Sequence, residues 1–441
     1  MKKKIKICVI GAGGYVGLVT AVGFAQLGYE VSGIEINKEK LEKLKKGKSS
    51  VFERELEKAL KENLKRKRLY FTSDYKLGLK DKKVVFIAVG SPSLKDGSAD
   101  LSQVISAAEK IRDNLKEYTL LVLKSTVPVG TIDILRNSFS PKKKEGKDFE
   151  ILVNPEFLRE GKGLYDFFHP SRIIIGGGSK KAKKIMRDIY SFFIEKKVPY
   201  LETDIKSAQL IKYASNAFLA GRISFINEIA SICEKLGANI DDVRKGMGYD
   251  KRIGFDYLEP GIGFGGPCLE KDLKAILKIS EEIGYEADFL KSILERNEKQ
   301  IKIIIGKIKE LVGPVLFKKP ITIFGLVFKA GTDDVRNSLS LKIIEELRRQ
   351  GSQILVYDPV ARIKEKEGVR RVFSPYLAVE NSFCLAILTD WPEFKKLDYK
   401  KIRKKMFCPN IVDGRNILNP SKMKKLGFKY LGVGRVQLYS S

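Results

Sequence analysis

Eight residues near the start of the chain restrict its fold more than any other stretch: Ile10-Gly11-Ala12-Gly13-Gly14-Tyr15-Val16-Gly17. They follow an apolar run, Ile5–Ile10, and lead into an apolar-periodic stretch, Tyr15–Leu27. They therefore read as a strand, a glycine turn and a helix in immediate succession. Glycine at such a turn lets backbone N–H groups approach a pyrophosphate at the helix N-terminus. A second strand-like run, Glu30–Ile36, carries Glu35 near its end, 18 residues after Gly17. A carboxylate there accepts hydrogen bonds from the adenosine ribose diol and repels a 2′-phosphate, which favours NAD over NADP. The spacing departs from the usual pattern. Gly11 and Gly13 are followed by Gly17 where a glycine at 16 is usual, whereas Gly14 and Gly17 fit the later two positions when the pattern is read from Ala12.

The alternation begun here continues. Further strands are expected at Val84–Val89, Thr119–Lys124, Ile151–Val153 and Arg172–Gly177, with a helix at Leu101–Leu115. Such alternation predicts a doubly wound parallel sheet in an α/β fold. From Asp204 the pattern becomes helical: one long helix over Ile205–Leu236, then Asp241–Met247, Leu269–Ile283 and Ala287–Leu311. After Gly313-Pro314 the alternation resumes, with strands at Ile321–Phe324, Gln353–Tyr357, Cys384–Leu388 and Ile411–Asp413 and a helix at Leu339–Gln350. The reading is two Rossmann-like domains, 1–203 and 313–441, joined by a helical segment, 204–312, as befits a chain of 441 residues.

Composition sets limits on function. No uncharged apolar run is long enough to span a bilayer, and the N-terminus is too charged for a signal peptide, so a cytoplasmic protein is expected. The net charge of +29 is spread through all segments and mixed with Glu. It reads as a solvated lysine surface that steers anions, with no nucleic-acid motif beside it. The five cysteines are widely spaced without a C-x-x-C pair, which argues against a disulfide framework or a zinc site. Cys8, Cys384 and Cys408 fall in expected strands and Cys233 in a helix, all as core thiols. His169 is the only histidine, in an aromatic turn. Acid–base chemistry is therefore expected from Lys, Asp, Glu or a water they hold, and no metal is expected.

Cys268 stands apart from the other cysteines. It closes a glycine loop, Gly261-Ile262-Gly263-Phe264-Gly265-Gly266-Pro267-Cys268, at the start of the helix expected from Leu269. A thiol at a helix N-terminus near Lys271 gains thiolate character. Asp272, four residues on, shares its helical face. Lys212 and Asn216 form another i, i+4 pair among apolar neighbours, suited to stabilising an oxyanion. Two further segments leave strands, where open α/β sheets bind ligands. One is Lys124–Thr131, whose hydroxyls include Thr126. The other is Asn154–Gly161, which carries Glu156 and Glu160.

Gly14-Tyr15-Val16-Gly17, Asp96–Ser102, Lys124–Thr131, Asn154–Gly161, Lys212–Asn216, Gly263–Asp272, Phe324–Lys329 and Val412–Arg415 together resemble the UDP-glucose/GDP-mannose dehydrogenase family. The resemblance runs through nearly the whole chain. It implies an NAD domain, a central dimerising helix and a UDP-sugar domain. It implies Cys268 as nucleophile, Lys212 and Asp272 as polar catalytic partners, and Asn216 as an oxyanion contact. Thr126 would help hold a catalytic water, and Glu156 would serve thioester hydrolysis. For the cofactor it implies Gly11, Gly13, Gly14, Tyr15, Val16, Glu35, Lys40, Ser91, Thr126, Glu160, Lys271 and Arg336. For the substrate it implies Glu156, Phe157, Leu158, Lys212, Asn216, Tyr257, Leu258, Gly265, Lys329 and Arg415, with Arg252 lent across a homodimer interface.

The activity so implied is four-electron oxidation of a nucleotide sugar with two NAD, through a thiohemiacetal and a thioester on Cys268. UDP-glucose is the first expectation, and GDP-mannose or another nucleotide sugar the alternative. A simple hydroxyacid dehydrogenase also places Lys and Asn four apart, but would have no use for the glycine–Cys loop. Pro267, Gly90-Ser91 and Leu269-Glu270 depart from the family's common residues and affect loop shape without removing a catalytic group.

Overall fold

The computed structural model describes residues 5–94, 96–140 and 142–435. They form two compact units. The first runs to Ser215 and takes in Lys274–Ile283; the second comprises Asn216–Leu273 and the chain from Gly284.

The first unit is built on eight strands: β1 (Ile7–Ile10), β2 (Val31–Ile34), β3 (Leu69–Thr72), β4 (Val84–Ile87), β5 (Thr119–Leu123), β6 (Phe149–Val153), β7 (Ile173–Gly176) and β8 (Tyr200–Thr203). Their order is β3-β2-β1-β4-β5-β6-β7-β8. β1 to β6 are parallel, and β7 meets β6 antiparallel through Val153 and Gly176. Alternation along β1 sends Ile7 and Val9 into the core on one face and Cys8 and Ile10 into the core on the other. A strand buried on both faces must be apolar throughout, and that is why the run was legible. The chain leaves β1 outward to β2 and β3, then returns to β4 on the other side of β1. This reversal opens a crevice at the carboxyl ends of β1 and β4.

The glycine turn fills that position. Gly14 caps the helix Tyr15–Gln26, and its N–H donates to the Gly11 carbonyl at 2.9 Å. A Cβ at Gly17 would lie 2.1 Å from the Gly11 oxygen. Gly17 therefore takes the part of the third fingerprint glycine, letting the first helical turn press against the loop.

The second unit repeats the plan with β9 (Pro320–Phe324), β10 (Gln353–Tyr357), β11 (Val369–Arg371), β12 (Cys384–Ile387), β13 (Asn410–Asp413) and β14 (Lys429–Gly432). The order is β11-β10-β9-β12-β13-β14, all parallel, with the same reversal. The long helix Ile205–Leu236 has the expected limits, and Leu269–Glu282 and Asp288–Val312 follow it. Among the described residues no helix is long and apolar enough to cross a membrane.

One expectation is corrected. Cys408 lies in a bend ahead of β13 and is only partly buried, because its N–H is drawn to the Ser382 carbonyl and the strand begins at Asn410. Cys8, Cys233 and Cys384 are buried as expected.

Gly17→Ala tests the close approach. It should lower the melting temperature by several degrees and weaken NAD binding roughly tenfold, or about 1.4 kcal/mol, by titration of cofactor fluorescence. Unchanged affinity would show that the turn tolerates the displacement.

Candidate active site

At the end of β2 the Glu35 carboxylate is buried and turned toward the glycine turn. Oε2 accepts from Gly13 N at 2.7 Å and Oε1 from Asn37 N at 2.8 Å. Gly11, Gly13 and Gly14 form the turn, and Tyr15 and Val16 open the helix. A glycine turn, the helix N-terminus that it opens and a carboxylate fixed beside them at a sheet reversal fit the pyrophosphate and ribose of NAD. Lys40 sits on an exposed helix whose N-cap is Asn37. At the ends of β4 and β5, Ser91 Oγ donates to the Thr126 carbonyl at 2.6 Å, so these two loops are joined. The Tyr15 hydroxyl donates to the Arg159 carbonyl at 2.6 Å, tying the fingerprint helix to the segment that leaves β6.

That segment carries Glu156, Phe157, Leu158 and Glu160. Glu156 Oε1 accepts from Lys212 Nζ at 2.9 Å, and Oε2 from Leu158 N at 2.6 Å. Both side chains of the ion pair are more than nine-tenths buried. Burial alone would raise the Glu156 carboxyl, but Lys212, the Leu158 amide and Lys124 together hold it below the usual carboxylate range. Phe157 lies beneath the Arg172 guanidinium, 3.7 Å from its ring centroid. Glu160 is partly buried at the end of the segment.

In the second unit Cys268 is exposed immediately before the helix Leu269–Glu282, and its carbonyl accepts from Asp272 N at 2.9 Å, the first bond of that helix. The Asp272 carboxylate is buried. Oδ2 accepts from Asn216 Nδ2 at 2.5 Å and Oδ1 from Lys271 Nζ at 2.6 Å. Lys212 and Asn216 do lie one turn apart on the long helix, but each has its own carboxylate: Lys212 pairs with Glu156, and Asn216 with Asp272. Tyr257 has a left-handed backbone, φ +61°, and Leu258 beside it is buried. Gly265 lies in the thiol loop, where a Cβ would come 2.6 Å from the Asn337 carbonyl. Arg415 donates to the Leu388 and Phe328 carbonyls at 3.0 and 3.3 Å, and Lys329 Nζ stands 5.6 Å from the Phe328 ring. Arg336 pairs with Asp334 and is exposed; Arg252 pairs with Asp250, its side chain 90% exposed.

Fold and site define a nicotinamide-dependent oxidoreductase with a second doubly wound unit and a cysteine presented at a helix start. The chain belongs to the UDP-glucose/GDP-mannose dehydrogenase family. Residues 5–194 match its NAD binding domain, 206–299 its central domain and 322–420 its UDP binding domain. NAD is its cofactor, and nucleotide sugars are its substrate class. UDP-glucose 6-dehydrogenase of Pseudomonas aeruginosa is 41% identical over 446 residues, 98% of each chain. UDP-glucose 6-dehydrogenase YwqF of Bacillus subtilis is 40% identical over 435 residues, again 98% of each. The solved UDP-glucose dehydrogenase of Pyrobaculum islandicum is 36% identical, with a TM-score of 0.89 over 98% of each chain.

Lys124 is the residue that reasoning from sequence passed over. It follows β5 directly and is buried, 7% exposed. Its ammonium donates to Asn154 Oδ1 at 3.1 Å, and among the described residues no carboxylate forms an ion pair with it. Lys124, Asn154, Glu156, Phe157, Arg172 and Tyr190 line part of a cavity of about 220 Å³. Burial pushes the Lys124 ammonium down to about 8; Glu156 opposes the shift and Lys212 adds to it. The available sign was a lysine ending an apolar strand, just before the hydroxyls of Ser125 and Thr126.

The folded chain thus holds this proton less tightly than the unfolded chain. Between about pH 8 and the ordinary lysine value of 10.5 the unfolded state binds more protons, so stability rises with pH. Below that window the burial cost is present in full. Lys124→Met removes it, and Asn154 Oδ1 keeps its 2.6 Å bond from the Tyr190 hydroxyl. The variant should melt a few degrees higher at pH 7, and the difference should shrink as pH approaches 10. A lower melting temperature at pH 7 would contradict this assignment.

Proposed function

We propose that this enzyme oxidises the C6 alcohol of UDP-glucose to the carboxylate of UDP-glucuronate, with Cys268 as the covalent nucleophile. The observation that carries the reading is an exposed thiol at the first turn of a helix, above an aspartate fixed by Asn216 and Lys271. The sugar is supported by relatives near 40% identity over 98% of the chain that are UDP-glucose 6-dehydrogenases.

NAD, when bound, is the two-electron acceptor of each oxidation. Residues of the turn and Glu35 bind and orient it. Removal of a hydride and a proton from the alcohol leaves an aldehyde. The Cys268 sulfur adds to the aldehyde carbon and the oxygen gains a proton, giving a thiohemiacetal. Loss of a second hydride and proton gives a thioester. Water, held by Thr126 and activated by Glu156, adds to the thioester carbon; the C–S bond breaks, and carboxylate and thiol are released. Lys212 and Asn216 stabilise negative charge on the C6 oxygen, and Asp272 orients the groups beside the thiol. Phe157, Leu158, Tyr257, Leu258, Gly265, Lys329 and Arg415 hold the nucleotide sugar; Lys40, Ser91, Glu160, Lys271 and Arg336 complete the cofactor contacts. The setting is cytoplasmic.

The wild type should form two NADH per UDP-glucose consumed and leave GDP-mannose and N-acetylated UDP-hexosamines untouched. Cys268→Ser should keep NAD affinity while acid formation falls by roughly 10³-fold or more. One NADH per sugar, or undiminished acid formation by the variant, would defeat this reading; preference for another nucleotide sugar would move the substrate and leave the thiol chemistry standing.

The working form is a homodimer. On the long helix Phe218, Phe225 and Ile232 recur every seven residues and are 66%, 49% and 46% exposed, a stripe suited to a second copy. The exposed Arg252 then leaves Asp250 for the substrate bound by the second copy. Phe225→Asp should convert the protein to monomers in light scattering with NAD binding intact; a wild type that is already monomeric at micromolar concentration would refute the dimer.

A further inference from the structure

The loop that presents Cys268 has glycine at 261, 263, 265 and 266. Glycine lets the backbone lie close to a ligand, but it leaves the loop with little of its own to hold a shape. In this protein the shape is imposed by buried amides from two helices of the same unit. Asn297 reads both backbone groups of one residue: Oδ1 accepts from Phe264 N at 2.8 Å, and Nδ2 donates to Phe264 O at 2.9 Å. Gln300, one turn further along the helix Asp288–Val312, donates from Nε2 to Gly261 O at 2.7 Å. Asn227, on the long helix, accepts from Gly261 N at 2.8 Å. The three side chains are 5%, 0% and 1% exposed.

The orientation of the Gln300 amide is fixed from behind. Arg296 donates to Gln300 Oε1 at 2.8 Å, which turns the Gln300 NH₂ group toward the loop. The same guanidinium donates to the Asn227 carbonyl and to Ser231 Oγ, and pairs with Glu228 at 2.9 Å. The loop is fitted to this clamp: a Cβ at Gly263, φ +104°, would lie 2.4 Å from Asn297 Oδ1. Elsewhere the same helix packs through Ile293, Ile304, Ile305 and Ile308, and its buried Lys307 pairs with Glu234 of the long helix at 2.7 Å. Buried polar groups cost stability unless fully paired. Here their pairing is spent on the loop backbone and on the groups that orient it.

We propose that Asn297, Gln300 and Asn227 are positioning residues for Cys268, holding the glycine loop so that the thiol captures the sugar aldehyde and commits it to the second oxidation. This rests on the nucleophile role given to Cys268 above. The first oxidation makes no use of sulfur. The second begins with formation of a C–S bond, and a displacement near 1 Å is enough to impair such a step about 10²-fold. A loosened loop should therefore separate the two oxidations.

The test uses full-length Asn297→Ala, Gln300→Met and Asn297→Asp with saturating UDP-glucose and NAD, and semicarbazide to trap released aldehyde. NADH per UDP-glucose consumed does not depend on the fraction of enzyme that is folded, so it separates positioning from stability. Asn297→Ala and Gln300→Met should drop from two toward one, with trapped aldehyde. Oxidation of the UDP-sugar 6-aldehyde, supplied directly, should slow roughly tenfold more than oxidation of the alcohol. Asn297→Asp keeps the acceptor for Phe264 N–H and loses the donor, and should fall between. Methionine is close to glutamine in size, so Gln300→Met keeps the test open if Asn297→Ala does not fold. A ratio that stays at two, with both oxidations slowed equally, would overturn the clamp alone. A wild-type ratio of one would overturn the nucleophile reading and the clamp with it.

Discussion

The Lys212–Glu156 ion pair is the interaction on which the rest of the site depends. It joins the long helix to the segment leaving β6, with both groups buried and 2.9 Å apart. Such a pair is poor evidence for stability. Desolvating two charges costs several kcal/mol per ion, and apolar replacements of both are often neutral or better, whereas removing one partner costs about 3–5 kcal/mol. Glu156 lines a cavity together with the buried ammonium of Lys124, and Lys212 answers the carboxylate from the long helix. Burial alone would raise the Glu156 carboxyl; Lys212 and the Leu158 amide hold it below the usual carboxylate range.

The second unit follows the same rule with different groups. Asp272 is buried and answered by an amide and an ammonium, and one of these, Asn216, comes from the same long helix as Lys212. Both residues sit on that helix, one turn apart. The thiol, by contrast, is on a loop of glycines. Its placement has to come from the amides that grip the loop, and these carry no charge.

The fold was legible wherever burial was complete. β1, β4, β5, β9 and β12 are apolar runs because they lie inside a sheet, and β10 is legible from Ile354-Leu355-Val356 although Gln353 before them is exposed. The four strands that went unread are β3, β8, β11 and β14, which are the two edges of each sheet. An edge strand is short and partly wet, so its sequence need not be apolar: Tyr200-Leu201-Glu202-Thr203 and Lys429-Tyr430-Leu431-Gly432 lack the signal of a central strand. Cys408 misled for a related reason. It stands two residues before β13, close enough to share the strand's apolar neighbourhood but outside its ladder.

The site was legible by residue and not by partner. Spacing placed Lys212 with Asn216 and Cys268 with Asp272, because helical periodicity reports which side chains share a face. It does not report what that face meets. Glu156 lies 56 residues from Lys212, and Phe264 lies 33 from Asn297; such pairings are set by tertiary packing. Two of the unread groups nevertheless left a trace. Lys124 ends an apolar strand, and Arg296, Asn297 and Gln300 break the apolar face of a helix. A polar residue where the pattern demands an apolar one carries a cost, and its position marks where tertiary pairing must offset that cost.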